Sequence, residues 1–270
     1  MSLRTGPFPP VPADITCLPA PPPPPRPPAA PARLSAALPA RPPAALALLL
    51  ALAGCGTTGA EPFAYPIAAV GVGAEAFAVG DWQVTLTRAD VALGPIYLCA
   101  TAAASPDLCA VAVGEFADVA VLDALAPDPA PLGEVAAVAG DVRSAMLDYG
   151  ISWFTTRTEA AADSPLGHSA RLVGVAVRGA ATVEFDAQVD VLPPLRGSPA
   201  LLGVRARADA PDADSRLLLR VDPRAWLRTV DFDALAAAGP TATLRPGDPD
   251  HAAIAFAMTT QPPAFAWSDE

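Results

Sequence analysis

From Phe77 onward the chain alternates apolar and polar positions with a period of two. Trp82, Val84 and Leu86 alternate with Gln83, Thr85 and Thr87, which predicts a half-buried strand after a turn at Gly80-Asp81. Ile96–Cys99 follows Gly94-Pro95 as another short strand, and Val111–Val113 and Val119–Leu122 are further strand segments. Pro127, Pro129 and Pro131 predict a loop, and Gly133–Met146 and Ile151–Thr155 read as strands divided near Gly150. The clearest hairpin sets Arg171–Val177 against Thr182–Val191 through Gly179. In its second arm Val183, Phe185, Ala187, Val189 and Val191 alternate with Glu184, Asp186, Gln188 and Asp190, so one face is apolar and the other largely acidic. Leu201–Arg207 and Arg216–Val221 are expected to form a further pair.

Helical signals come only late. Asp222-Pro223 has N-cap and first-turn chemistry ahead of Arg224–Val230. Asp231 is placed to cap Phe232–Ala238, which Gly239 stops, and Asp248-Pro249 opens a third helix over Asp250–Thr260. Many short strands with turns at regular spacing predict an all-β fold, an antiparallel β-sandwich with a few short helices late in the chain.

Ahead of this domain the pattern is different. Residues 44–54 form an apolar run that ends at Cys55, with Arg33 and Arg41 behind it. The run is about half the length of a bilayer-spanning helix and matches the apolar core of a secretory signal peptide. Its last four residues, Leu52-Ala53-Gly54-Cys55, resemble the lipobox of bacterial lipoprotein precursors. That resemblance implies a diacylglyceryl group on the Cys55 thiol, cleavage before Cys55 and acylation of the freed amine. More than one buried acyl chain makes such an anchor stable. Gly56 stands where an aspartate would retain a lipoprotein at the inner membrane, so the outer membrane is expected.

The domain organisation follows. Residues 1–33, with five prolines in a row from Pro21 to Pro25, read as a disordered or polyproline II prefix. A signal peptide ordinarily starts a chain, so the prefix reads as a start-site error with the true start near Leu34; a long cytoplasmic leader is the rival. Residues 34–54 are the signal peptide, 55–75 the lipidated cysteine and tether, and 76–270 a single β-sandwich domain.

Charge narrows the function classes. The chain has no lysine, and its 17 basic residues are all arginine. Residues 1–55 hold four of those arginines and one of the 28 acids, leaving the rest with thirteen arginines against twenty-seven acids. A domain this acidic is a poor partner for nucleic acid, which needs clustered cations.

Candidate chemistry is sparse. Cys17 lies in the removed segment and Cys55 takes lipid, so Cys99 and Cys109 remain; in an oxidising compartment they are expected to form a disulfide. A copper or zinc site would need His168 and His251, which lack ligand spacing. Asp209, Asp212 and Asp214 share a turn but lack the glycine and distal glutamate of a calcium loop, and read as a solvated acidic loop. Arg205, Arg207, Arg216, Arg220, Arg224 and Arg228 are interleaved with aspartates, so surface pairing is expected before an anion site. Trp82, Trp153, Trp226, Trp267, Tyr97, Tyr149, Phe154 and Phe185 read as core before a ligand pocket. His168-Ser169 makes no triad and there is no Gly-x-Ser-x-Gly turn. No enzyme activity, metal or cofactor is expected. The function this supports is a lipid-anchored cell-envelope protein that presents an acidic β-sandwich for structural contact or ligand binding, with the membrane engaged through lipid on Cys55. The alternative is a periplasmic metal- or small-molecule-binding lipoprotein.

Overall fold

The structure, a computed structural model, describes residues 61–101, 109, 112–154 and 156–269. The prefix, the apolar run, Cys17 and Cys55 lie outside the described residues. The first strands are β1 (Pro62–Val70), β2 (Phe77–Val79), β3 (Trp82–Leu93), β4 (Ile96–Cys99), β5 (Ala112–Phe116) and β6 (Ala120–Asp123). Then come β7 (Ala130–Val138), β8 (Val142–Leu147), β9 (Ile151–Phe154), β10 (Arg157–Ala160), β11 (Ala170–Arg178) and β12 (Ala181–Val189). After β13 (Leu201–Ala208) and β14 (Ser215–Arg220) the helices begin. They are α1 (Pro223–Trp226), α2 (Phe232–Ala238) and α3 (Pro249–Thr260), with β15 (Thr241–Leu244) between the last two and β16 (Ala264–Asp269) closing the fold.

Two sheets make the sandwich. One has eight strands in the order β13-β8-β4-β5-β7-β1-β14-β16; the other runs β15-β12-β11-β3-β2, with β6 added on β3. Their inward side chains share one core, Ile67, Leu98, Val135 and Leu217 from the first sheet with Val84, Leu172, Val183 and Phe185 from the second. The period-two segments bury their apolar side: along β3, Trp82, Val84 and Leu86 are buried while Gln83, Thr85 and Thr87 are exposed. The β11–β12 hairpin pairs in full register, from Ala170↔Val189 to Arg178↔Ala181. Each of its inward aliphatic side chains contributes roughly 1.5–3 kcal/mol when fully buried.

The helices follow their caps. The Asp222 side chain accepts the Arg224 N–H, and Asp231 accepts the Ala234 N–H at 3.0 Å. The Asp248 carboxylate instead reaches back to the Arg245 N–H at 2.8 Å. Together they cover core aromatics: Phe232 packs on Phe185 with ring centroids 5.5 Å apart, and Trp226 donates its indole N–H to the Gln261 carbonyl at 2.9 Å.

Four expectations are corrected. The fold does not start at residue 76. β1 occupies residues 62–70, between β7 and β14, so the tether expected over 55–75 is shorter than expected. Pro62 and Pro66 hide this strand, but parallel pairing to β14 begins only at Ile67, just past the missing Pro66 N–H. Second, Pro131 lies within β7, not in a loop, where the register slips between Ile67 and Ala68 and relieves the missing donor. Gly133–Met146, third, is two strands broken at residues 139–141. Finally, β13 and β14 do not pair with each other: β13 pairs antiparallel with β8, while β14 lies between β1 and β16. The pairing is also mixed, since β1–β14 and β12–β15 run parallel.

Candidate functional site

Asp148 follows β8 and precedes Tyr149-Gly150. Gly94–Pro95 and Tyr149-Gly150 are stitched together by backbone bonds, the Gly94 N–H to Asp148 O at 2.9 Å and the Gly150 N–H to Gly94 O at 3.0 Å. Gly150 holds this turn with φ +70°, and a Cβ there would meet Ser164 Oγ at 2.5 Å and Ala92 Cβ at 2.6 Å. The turn drives the Asp148 carboxyl inward, where the residue is only 5% exposed. One carboxylate oxygen accepts the Ala200 N–H at 2.6 Å and the other accepts the Ser152 hydroxyl at 3.0 Å.

Burial disfavours the charged form and pushes the Asp148 carboxyl up to about 6, against the opposing pull of those two hydrogen bonds. Around it lies a cleft of about 280 Å³ lined by Tyr97, Met146, Ser152, Trp153 and Pro199, with Cys109 at its edge. The Trp153 indole donates to Pro193 O at 3.2 Å, which ties the wall to the loop leading into β13. A disulfide joins Cys109 to the buried Cys99 of β4, as expected.

A second cluster forms where β12 ends. The chain's two histidines, far apart in sequence, converge on Asp190. His168 Nδ1 donates to the Asp190 carboxylate at 2.7 Å, and the Asp190 N–H donates to His251 Nε2 at 3.1 Å. The second bond requires a neutral His251 with its hydrogen on Nδ1. Burial lowers its affinity for a proton, opposed by the charges of Asp190 and Asp248. Ser169 Oγ accepts the Val191 N–H at 3.0 Å, so the His168-Ser169 pair fastens β12 to the turn before β11. Among the described residues no group of three or more His, Cys, Asp or Glu is disposed to hold a metal ion.

The acidic turn is tied both within itself and to the start of β8. Asp212 accepts from the Asp214 N–H and the Ser215 hydroxyl, each at 3.1 Å, and Asp209 pairs with Arg143 at 2.7 Å. The arginine cluster is only partly paired: Arg224 forks onto Asp222 and Arg207 lies 3.9 Å from Asp209. Arg205, Arg220 and Arg228 make no ion pair among the described residues. Trp82, Trp226, Tyr149 and Phe185 are core, whereas Tyr97 and Trp153 line the Asp148 cleft. Of Phe154 the structure describes only the backbone.

Sequence reasoning missed Asp148, Ser152 and the joining role of Asp190. The signal for Asp148 was a lone acid inside the apolar run Ala145-Met146-Leu147-Asp148-Tyr149, where a carboxyl is buried with its neighbours or breaks the strand. Neither histidine lines the Asp148 cleft.

No protein-family model matches this chain, and no curated protein is similar to it. Among solved structures it is similar to MbnP from Methylosinus trichosporium, at 15% sequence identity and a TM-score of 0.34, over 73% of this chain and 88% of that one. A likeness this loose carries no argument about function.

Proposed function

We propose that this chain is a lipid-anchored cell-envelope protein that presents its acidic β-sandwich for contact or ligand binding, not for catalysis. The observation that carries the reading is the lipobox Leu52-Ala53-Gly54-Cys55, with only residues 56–61 between Cys55 and β1. A tether that short keeps the domain near the bilayer to which acyl chains on Cys55 would fix it. The outer membrane is the expected site, from Gly56. The binding role draws on the Asp148 cleft. His168 and Ser169 are turned to backbone and carboxylate partners that leave no nucleophile–base pair.

The test is an intact mass of membrane-bound protein from a bacterium expressing the full precursor, beside its Cys55→Ala variant. A species beginning at acylated Cys55, lost in the variant, is the expected result. A soluble product that retains residues 1–55 overturns the reading.

One observation favours a second reading, a metal-binding lipoprotein: the convergence of His168 and His251 on Asp190. A metal there would have to displace the Asp190 N–H from His251 Nε2 or use the far nitrogens of the two rings. Titration with zinc and with copper, repeated on His168→Ala and His251→Ala, decides it. Stoichiometric binding lost in both variants supports the reading, and unchanged melting in the presence of either metal ends it.

A further inference from the structure

The Asp148 carboxylate is buried, and among the described residues no positive charge stands beside it. Its partners are neutral donors, the Ala200 N–H and the Ser152 hydroxyl. Among the described residues no arginine or histidine lines the cleft; Arg196, on the loop above, is exposed and outside the lining. A buried carboxylate in this state is costly unless a cation joins it. Among the described residues the other ionisable group facing it is Tyr97 of β4, with Glu115 of β5 beside Tyr97, and both ionise to anions.

The rest of the lining suits one kind of cation. Tyr97 and Trp153 present half-buried aromatic surface and Met146 a polarizable thioether. Aromatic faces attract organic cations, and the Tyr97 hydroxyl makes no hydrogen bond among the described residues, leaving it for a ligand. A hard metal ion would need several more oxygen ligands than one carboxylate, whose two oxygens already accept hydrogen bonds. At about 280 Å³ the cleft is at the small end of ligand cavities.

We propose that this cleft binds a small organic ammonium ion, its cationic nitrogen set against the Asp148 carboxylate and its carbon groups against Tyr97, Trp153 and Met146. The proposal deepens the ligand-binding part of the function above and does not depend on the anchor.

The experiment is calorimetric titration of the full chain in detergent with choline and with n-butylammonium, each beside an uncharged counterpart, 3,3-dimethylbutan-1-ol and 1-pentanol. At pH 7.5 at least one ammonium is expected to bind about tenfold or more tightly than its uncharged counterpart. That preference is expected to vanish in Asp148→Asn and to shrink as the pH falls toward 5. Asp148→Asn retains an oxygen to accept the Ala200 N–H, and its melting curve confirms that it folds. Trp153→Leu, which leaves the carboxylate in place, is expected to weaken binding severalfold. Equal affinity for charged and uncharged probes, no detectable binding of either ammonium, or full binding by Asp148→Asn overturns the proposal. Acylation of Cys55 is read separately by mass, so failure of the cleft and failure of the anchor are distinguishable.

Discussion

The Asp148 carboxylate holds the Ala200 amide at 2.6 Å, and through it the loop between β12 and β13 is latched to the end of β8. The latch works against its own charge. Because burial raises the folded carboxyl from 3.8 to about 6, the folded protein binds more protons than the unfolded chain between those values. The favourable contribution is therefore complete below about 4 and lost as the pH rises through 6. At neutral pH the charged group costs about 2–3 kcal/mol. Asp148→Asn is expected to raise the melting temperature at pH 7.5 and leave it nearly unchanged at pH 4, read by thermal unfolding across that range. Equal shifts at both pH values would contradict it.

His251 has the opposite sign. Burial lowers its proton affinity, so between the ordinary histidine value of about 6.5 and its lower folded value the unfolded chain binds the extra proton. Stability from His251 is present above 6.5 and lost as the pH falls below it, when protonated Nε2 stops accepting the Asp190 N–H. His251→Leu is expected to remove this acid-side loss and to cost about 1–3 kcal/mol at pH 7.5, since the Asp190 N–H is left unpaired. Denaturant unfolding at pH 7.5 and 5.5, on wild type and variant, checks both parts.

Cys99 and Cys109 are ten residues apart, and their disulfide restricts a short loop of the unfolded chain. Replacing both by alanine is expected to cost about 2–3 kcal/mol, seen as a lower denaturation midpoint that reductant no longer affects. Wild type in reductant should fall to the same midpoint.

Gly150→Ala is expected to be among the more damaging single-atom-scale changes. It places a Cβ 2.5 Å from Ser164 Oγ and 2.6 Å from Ala92 Cβ on a backbone at φ +70°. A loss of about 2 kcal/mol or more follows from the strain and the displaced contacts. Gly179→Ala is the control: it also has positive φ, but no atom lies within 4 Å of its added carbon, so it should lose clearly less.

What was legible in the sequence was what neighbours in sequence decide. The alternation of Val183, Phe185 and Ala187 fixed a strand and its buried side, and Asp222-Pro223 and Asp231 placed helix starts that the side-chain caps bear out. The Cys99–Cys109 disulfide was legible because only two cysteines remained. Pairing across distance was not. Nothing near Arg216 says that β14 lies beside β1 and β16 and not beside β13, because each strand offers the same apolar inner face to any partner. β1 was lost because Pro62 and Pro66 mimic a linker. The meeting of His168 with His251 at Asp190 depends on where α3 docks against β12, which no spacing in the sequence encodes.

β1 takes its parallel partner from far down the chain, Ile67 opposite Leu217, and the other side of β14 is filled only by β16, from Ser215↔Asp269 to Arg220↔Ala264. As the chain is made, β1 thus waits for β14, and β14 has one bare edge until β16 arrives. Closure of such a nonlocal sheet is slow. The eight-stranded sheet is therefore completed only once residues 264–269 are available, and until then the second edge of β14 must be kept from pairing with other strands.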